Sequence, residues 1–519
     1  MALMLVPYQH GRAVLWTVPN SPPEVQRREG PAAVDQVTEN RGWRMPPARQ
    51  PRVPSRPPAR RPRVPSRPPA TSSAAAADDP RGDRGWLSTF RRDPTRRPRQ
   101  ADGGGGGTAL ADELLLLIFT RLPDLSDLVR CTATCRRWRR LVSGDAAFIC
   151  RTPRRPPGRF VGGFALGFFQ PLADAAPRFV ALASAARRFP GLLRQPAPSL
   201  SSLVDGGLFD GSPHIVAARN GLLVVDLRRG KHDRTPRLCV CNPMTGDVHV
   251  LPPLGGKDGL GHYACAVVTA DDLDDKSAGL LPPPGPSYFR LVMVYTRRGF
   301  TAFRSYSSSD GSWSEEAKVT NGRLGKKQMG MTHSGVVLHG GRVVCWLAKN
   351  IVFRLCLDTR QSTVLSMPCS GNTRTFDMAN TLLGSLPDGK LCAVQFDRHP
   401  SLAAAKRRVS IRTASYIEGT CWRCEAEPIQ VEQYLPADVT YVRLRWFCDK
   451  SGVVFFSALA GDIGPPRREL YALSLQTWAV EKLASHDGDG IPWVDLHGYE
   501  MNQVAYLASL VEADGLEDE

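Results

Sequence analysis

The residues of this 519-residue chain that could do chemistry are few and poorly grouped. "CWRC" sets Cys421 and Cys424 at the spacing of a zinc or thiol-exchange pair. A structural zinc site needs a second such pair and a redox motif needs a βαβ setting, and the surrounding sequence offers neither. "NGRLGKKQ" approaches a phosphate-binding loop, but Thr320 stands at the first glycine position and Lys327 where a magnesium-binding Ser or Thr belongs. A solvated turn is expected there. His333 and His339 flank "SGVVLHGG" without a shared ligand geometry. "DDLDD" (271–275), next to "LPPPGP", has the charge to hold a cation but reads as a long exposed loop. No G-x-S-x-G, H-E-x-x-H or G-x-G-x-x-G occurs. The chain therefore offers no catalytic residue, no cofactor and no metal site, and a non-enzymatic role is expected.

Composition narrows the class further. The formal charge is +17, but residues 1–107 hold 19 Arg against 9 Asp and Glu, so +10 of the excess lies in that segment. The rest is mildly basic, which argues against nucleic acid as the partner, although an Arg-rich tail attracts polyanions in a salt-dependent way. The apolar runs "LLLLIF" and "FVGGFALGFF" fall short of the roughly 20 residues of a membrane span. The start "MALMLVPYQHGRAVLW" lacks the basic and continuous apolar regions of a secretory signal. Thirteen cysteines without a framework spacing read as reduced thiols, so a nuclear or cytoplasmic protein is expected.

Residues 1–107 are dominated by Pro, Arg, Ala, Ser and Gly, too little apolar content to offset the entropy of ordering. "PRVPSRPPAR" at 51–60 returns as "PRVPSRPPA" at 62–70, a duplicated linker with polyproline character, and Gly103 to Gly107 form a joint. Directly behind it, "ALADELLLLIFTRLPDLSDLVRCTATCRRWRRL" reads as three short helices. Asp112 and Glu113 suit the first turn of one, Leu114 with Ile118 and Leu115 with Phe119 and Leu122 pair at helical spacing, and Pro123 ends it. Asp124, with Asp127 three residues on, is expected to cap the second; the third carries Cys135, Trp138, Leu141 and Val142 on one side. So small a module holds more apolar surface than it hides, which predicts a partner.

This stretch resembles the F-box: Leu110, Glu113, Leu114, Ile118, Arg121, Leu122, Pro123, Asp127, Leu128, Cys135, Arg136, Trp138 and Arg139 fall in register with the family pattern. Ala111 replaces its usual proline and Thr134 its common valine. The resemblance implies a Skp-type adaptor as partner and, through it, a cullin scaffold. It implies adaptor contacts from Leu110, Leu114, Leu115, Ile118, Leu122, Pro123, Leu128 and Trp138.

From about residue 155 the texture is β: short runs of Val, Leu, Phe, Tyr and Trp every 8 to 14 residues, separated by Gly, Asp, Asn and Pro. About twenty such strands suit five to seven blades of four. Trp313, Trp346, Trp422, Trp446, Trp478 and Trp493 fall in or near strands, as blade core does. "CVCNPMTGDVHVLPP", "RLCLDTRQSTVLSMP" and "YALSLQTWAVEKL" share a strand, turn, strand shape. The region resembles the F-box-associated or kelch-like propeller segment that often follows an F-box in plant proteins, with Cys241 to Pro253 as its hallmark; Asn242 and Pro243 form the turn, Gly246 closes it and Leu251 returns to the core.

The expected fold is thus multidomain: a disordered tail (1–107), an all-α F-box (108–152), a connecting segment (153–209), an all-β propeller-like domain (210–500) and an acidic tail (501–519). In the connecting segment, "PRFVALASAARRFPGLL" fits a helix or a strand and loop equally. The function implied is substrate recognition for a ubiquitin ligase, with an unidentified target protein on the β domain. The rivals are a stand-alone kelch-like propeller enzyme of the copper-oxidase kind, which needs clustered His and Tyr ligands, and a nucleic-acid-binding protein using the Arg-rich tail.

Overall fold

The computed structural model describes residues 110–510 apart from 123, 152–158, 173–175, 190–199, 201–213, 229–234, 255–259, 261, 274–286, 330–333, 368–379, 399–408, 420, 425–426, 462–465, 488–492 and 494. The Pro/Arg-rich tail with its repeat and glycine joint, Pro123, His333 and the end of the acidic tail lie outside the described residues.

The F-box segment forms α1 (Asp112–Phe119), α2 (Leu125–Thr132) and α3 (Arg136–Gly144), continued by α4 (Ala146–Arg151). Asp124 occupies the N-cap position of α2 but makes no side-chain cap bond, and Asp127 pairs with Arg130 at 2.8 Å instead. Cys135, expected on the apolar side of α3, is its exposed N-cap, and its Sγ accepts from the Trp138 N–H at 3.4 Å.

Six antiparallel sheets follow, each led by an inner strand. The inner strands are β3 (His214–Arg219), β7 (Tyr263–Thr269), β12 (Val336–Leu338), β16 (Thr381–Ser385), β21 (Val439–Cys448) and β25 (His497–Glu500). Each touches the next around a closed ring, β25 returning to β3, so the β domain is a six-bladed propeller. The hallmark turn behaves as its residues dictate. Asn242 Oδ1 accepts from the Met244 N–H at 3.1 Å, the Gly246 N–H reaches the Asn242 carbonyl at 2.9 Å, and Gly246 sits at φ +82°, a region glycine enters without strain. Leu251 is buried, as expected. The equivalent turn before β24 (Val480–Asp487) places Trp478 at φ +60°, with the side chain 56% exposed rather than in the blade core.

The sixth blade corrects the domain boundaries. Its inner strand, β25, pairs with β1 (Ala165–Gln170), which pairs with β2 (Arg178–Ala181). The segment expected as a connector thus supplies two outer strands, and the ring is closed by joining them to the far end of the chain. "PRFVALASAARRFPGLL" is both alternatives in succession: β2, then α5 (Ala183–Arg188). The expected acidic tail begins with a helix, Gln503–Ala508, capped by Asn502 Oδ1 on the Ala505 N–H at 3.0 Å.

That C-terminal helix ties the two parts together. Val504, Tyr506 and Leu507 are buried in one continuous core with Leu115, Phe119, Leu128, Val142 and Ile149 of the helices and Phe168, Phe169 and Tyr499 of the closing blade. Full burial of a Leu, Ile or Phe side chain contributes about 2 kcal/mol, so helices too small to stand alone are stabilised by the propeller's last blade.

Candidate functional site

The first candidate surface is the outer face of α1. Leu115 and Phe119 point into the shared core, with Phe119 meeting Trp138 edge to face at 5.4 Å. The opposite face is bare: Leu110 (51%), Leu114 (49%), Leu117 (51%) and Ile118 (48%) are all half exposed. Leu114, Leu117 and Ile118 stand at i, i+3 and i+4, so they form one stripe. Arg137 of α3 anchors its start: Nε donates to Asp112 Oδ1 at 2.8 Å and a terminal nitrogen donates to the Leu110 carbonyl. Of the residues expected to meet an adaptor, Leu110, Leu114 and Ile118 lie on this face. Leu115 and Leu128 are buried in the internal core, and Leu122 and Trp138 are half-buried against it. Leu117 and the equally exposed Phe148 of α4 add apolar surface beyond the residues the family pattern implies; the i+3 spacing from Leu114 is the sequence signal for Leu117.

The second candidate is one mouth of the central channel, where the inner strands end. A cavity of about 370 Å³ there is lined by Arg159, Asp271, Asp272, His339, Ser385 and Lys450, among others. Beneath it lies an ion network drawn from separate blades. Arg219 ends β3 and reaches Asp272 at 2.8 Å and Asp449 more closely. Lys450 reaches Asp272 at 3.2 Å, and Ser385 donates to Asp449 at 2.9 Å. Burial opposes the Arg219 charge, but Asp272 and Asp449 outweigh it and hold its pKa above the ordinary value. Asp272 is likewise driven below the carboxylate range, Arg219 and Lys450 overcoming its burial. The exposed loop expected for "DDLDD" is thus corrected at Asp272, whose side chain is 5% exposed.

Glu500, at the end of β25, accepts from the Ser451 N–H at 2.6 Å. Burial, reinforced by the Asp449 charge, pushes its pKa up from 4.5 to about 7. Between those values the folded chain holds a proton that the unfolded chain has lost, so stability falls as pH rises through this window, by up to about 3 kcal/mol. Asp272 acts in the opposite sense and in another window: its contribution is lost only as pH falls below about 3.8. Thermal unfolding from pH 5 to 8 is expected to show a midpoint that drops by several degrees for the native chain and stays level for Glu500→Gln. Equal slopes in the two proteins would refute this.

The other residues weighed for chemistry do not converge. Cys421 and Cys424 lie at opposite ends of the exposed edge strand β19 (Cys421–Cys424), three positions apart and so on opposite faces. Lys326 and Lys327 start a single helical turn, Lys326–Met329. His339 approaches Glu418 at 3.6 Å. Among the described residues no group of three or more His, Cys, Asp or Glu is placed to hold a metal, and no helix is long and apolar enough to cross a membrane.

An F-box-like family model matches residues 112–150, and a domain of unknown function, DUF7595, matches 182–400. No curated protein matches the chain. Among solved structures, hydrazine synthase of Kuenenia stuttgartiensis aligns at 9% identity and a TM-score of 0.30, over 52% of this chain and 64% of that one. The chain thus spans just under two thirds of the hydrazine synthase chain. The β-propeller domain of the Trilobed protease from Pyrococcus furiosus aligns at 7% identity and 0.27, over 52% and 71%. The catalytic domain of a GH62 α-L-arabinofuranosidase from Coprinopsis cinerea gives 13% and 0.27, over 65% and 98%. Values this low carry nothing about activity. The helices, the ring of six sheets and the matched segment together make this chain one with an F-box-like domain at 112–150 followed by a six-bladed β-propeller.

Proposed function

We propose that this chain is the substrate-recognition subunit of a Skp–cullin–F-box ubiquitin ligase, acting in the nucleus or cytoplasm and doing no bond chemistry itself. The α1 face docks on a Skp-type adaptor, the adaptor links to a cullin scaffold, and the propeller holds a target protein. Recruitment then raises the effective concentration of target lysines beside the charged conjugating enzyme. The observation that carries this reading is the division of labour on α1: Leu115 and Phe119 serve the internal core, while Leu110, Leu114, Leu117 and Ile118 stay uncovered. A contiguous apolar stripe left open on a small helical module is a surface for a second polypeptide.

The test is a titration of the purified chain against a Skp-type adaptor. The native chain is expected to bind, and Leu114→Asp/Ile118→Asp to lose at least a hundredfold in affinity, because two carboxylates would have to be desolvated at the contact. The propeller's thermal transition should be unchanged, since neither side chain enters the core. Undiminished binding by the double variant would remove the proposal.

A further inference from the structure

A basic cluster distinct from the ion network lies on the face that the blade of β21 turns toward the closing blade, four residues before Asp449 at its nearest. In this sheet β21 pairs with β22 (Val453–Ala460), and β22 with β23 (Arg467–Ser474). Ser457 pairs with Arg443, and Leu459 pairs with Tyr441 on one side and Arg468 on the other. Cross-strand partners share a face, as do residues two apart on a strand, so Tyr441, Arg443, Ser457, Leu459 and Arg468 share one. The alternate face, with Val442, Leu444, Phe456 and Ala458, packs into the core shared with the preceding blade. Arg445 is the extra residue of a β-bulge between Leu444 and Trp446. The bulge re-aims its side chain, and Nε donates to Ser457 Oγ at 2.8 Å, bringing a third guanidinium to the arginine face.

The cluster is not satisfied internally. One terminal nitrogen of Arg445 and the Nε of Arg468 are buried without a hydrogen-bond partner among the described residues. Ser457 is buried and accepts from Arg445, and no acceptor for its own hydroxyl proton is present among the described residues. Burial and the charges of Arg443 and Arg468 push the Arg445 pKa down to about 10, with Asp495 among the groups opposing them. Buried donors left open cost free energy, and three like charges add to it. The ring pair Trp446 and His497, with centroids 4.8 Å apart, marks where the closing blade meets this one.

We propose that Arg443, Arg445, Arg468 and Ser457 form a binding site for a dianionic phosphate monoester. Among the described residues, three guanidinium groups against the carboxylate of Asp495 leave two positive charges, which a phosphate ester at neutral pH balances. Its oxygens accept from planar guanidinium forks in the bidentate manner that arginine favours, and the Ser457 hydroxyl donates to one of them. Arg443 on β21 pairs with Ser457, and Arg468 on β23 pairs with Leu459 two residues along β22, so the two arginines stand diagonally on this face, roughly 12 Å apart, a span that two long side chains can bridge beside Ser457. The phosphate could be carried by a small molecule or by a modified residue of a bound protein; the recognition chemistry is the same. The site stands on geometry separate from α1 and holds whether or not an adaptor binds there.

Inorganic phosphate and phenyl phosphate, added to the full chain at constant ionic strength, are expected to raise the thermal midpoint saturably, with chloride inactive. Arg445→Gln and Arg468→Gln should each weaken the apparent phosphate affinity at least tenfold, while the distant Lys390→Gln leaves it unchanged. A saturable response equal in the native chain and both arginine variants overturns the proposal, as does no response in the native chain. Should the variants not fold, phenylglyoxal labelling of the native chain decides. Phosphate should protect Arg445 and Arg468 selectively, and unprotected labelling of both overturns the site. A short phosphoserine peptide binding tighter than glycerol phosphate assigns the site to a modified protein, and the reverse order to a small ester; both support it.

Discussion

Arg219→Ala lowers the stability of the folded chain by about 3 to 5 kcal/mol, read as a shift of the urea midpoint. The arginine is 8% exposed and sits between Asp272 and Asp449, whose side chains are equally hidden. Among the described residues, removing it leaves two buried carboxylates with Lys450 as the one remaining cation bonded to either, and Lys450 reaches Asp272 alone. The cost comes from stranding charges and not from losing a favourable pair, so a variant that neutralises the whole group behaves differently. Arg219→Met combined with Asp272→Asn and Asp449→Asn should recover more than half of the lost stability. A single variant within 1 kcal/mol of the native chain would show that the network does not hold the blades at that mouth.

A chain ending at Leu496 is expected not to reach a folded state at all. It lacks β25 and the C-terminal helix, and with them the inner strand of the sixth blade. β1 then presents an unpaired edge, and the ring cannot close against β3. The same cut removes Tyr499, Val504, Tyr506 and Leu507 from the core beneath the F-box helices, each worth about 2 kcal/mol when fully buried. Against a total stability of 5 to 15 kcal/mol for a typical domain, the loss is decisive. The check is the near-ultraviolet dichroism and cooperative melting of the truncated chain. A melting transition like that of the full chain would contradict the closure described here.

What the sequence revealed divides along the range of the interactions concerned. The F-box was legible because its signals are local: acidic residues in the first turn of α1, paired leucines at helical spacing and a tryptophan on α3. The "CNPMTGDVHVLPP" hairpin was legible for the same reason, since Asn242 and Gly246 specify a turn by their own backbone chemistry. The closing blade was not. β25 is four residues long, too short for alternation to register, and its partner β1 lies at the other end of the domain. Asp272 looks like loop charge in the sequence because its partner Arg219 comes from a different blade. The sequence could not separate Leu115 from Leu114 as core from surface either. Both are apolar on one short helix, and which of them faces outward depends on a C-terminal helix that packs from beyond the propeller.

The pairing of β1 with β25 has a consequence for biosynthesis. While the chain emerges from the ribosome, the helical module and β1 are made before the five intact blades, and β25 and the helix that covers α3 and α4 come after them. Until residue 510 has left the exit tunnel, α1 is greasy on both sides and the toroid remains open. An unfinished or prematurely terminated copy therefore offers nascent-chain chaperones a larger sticky surface than the mature molecule does.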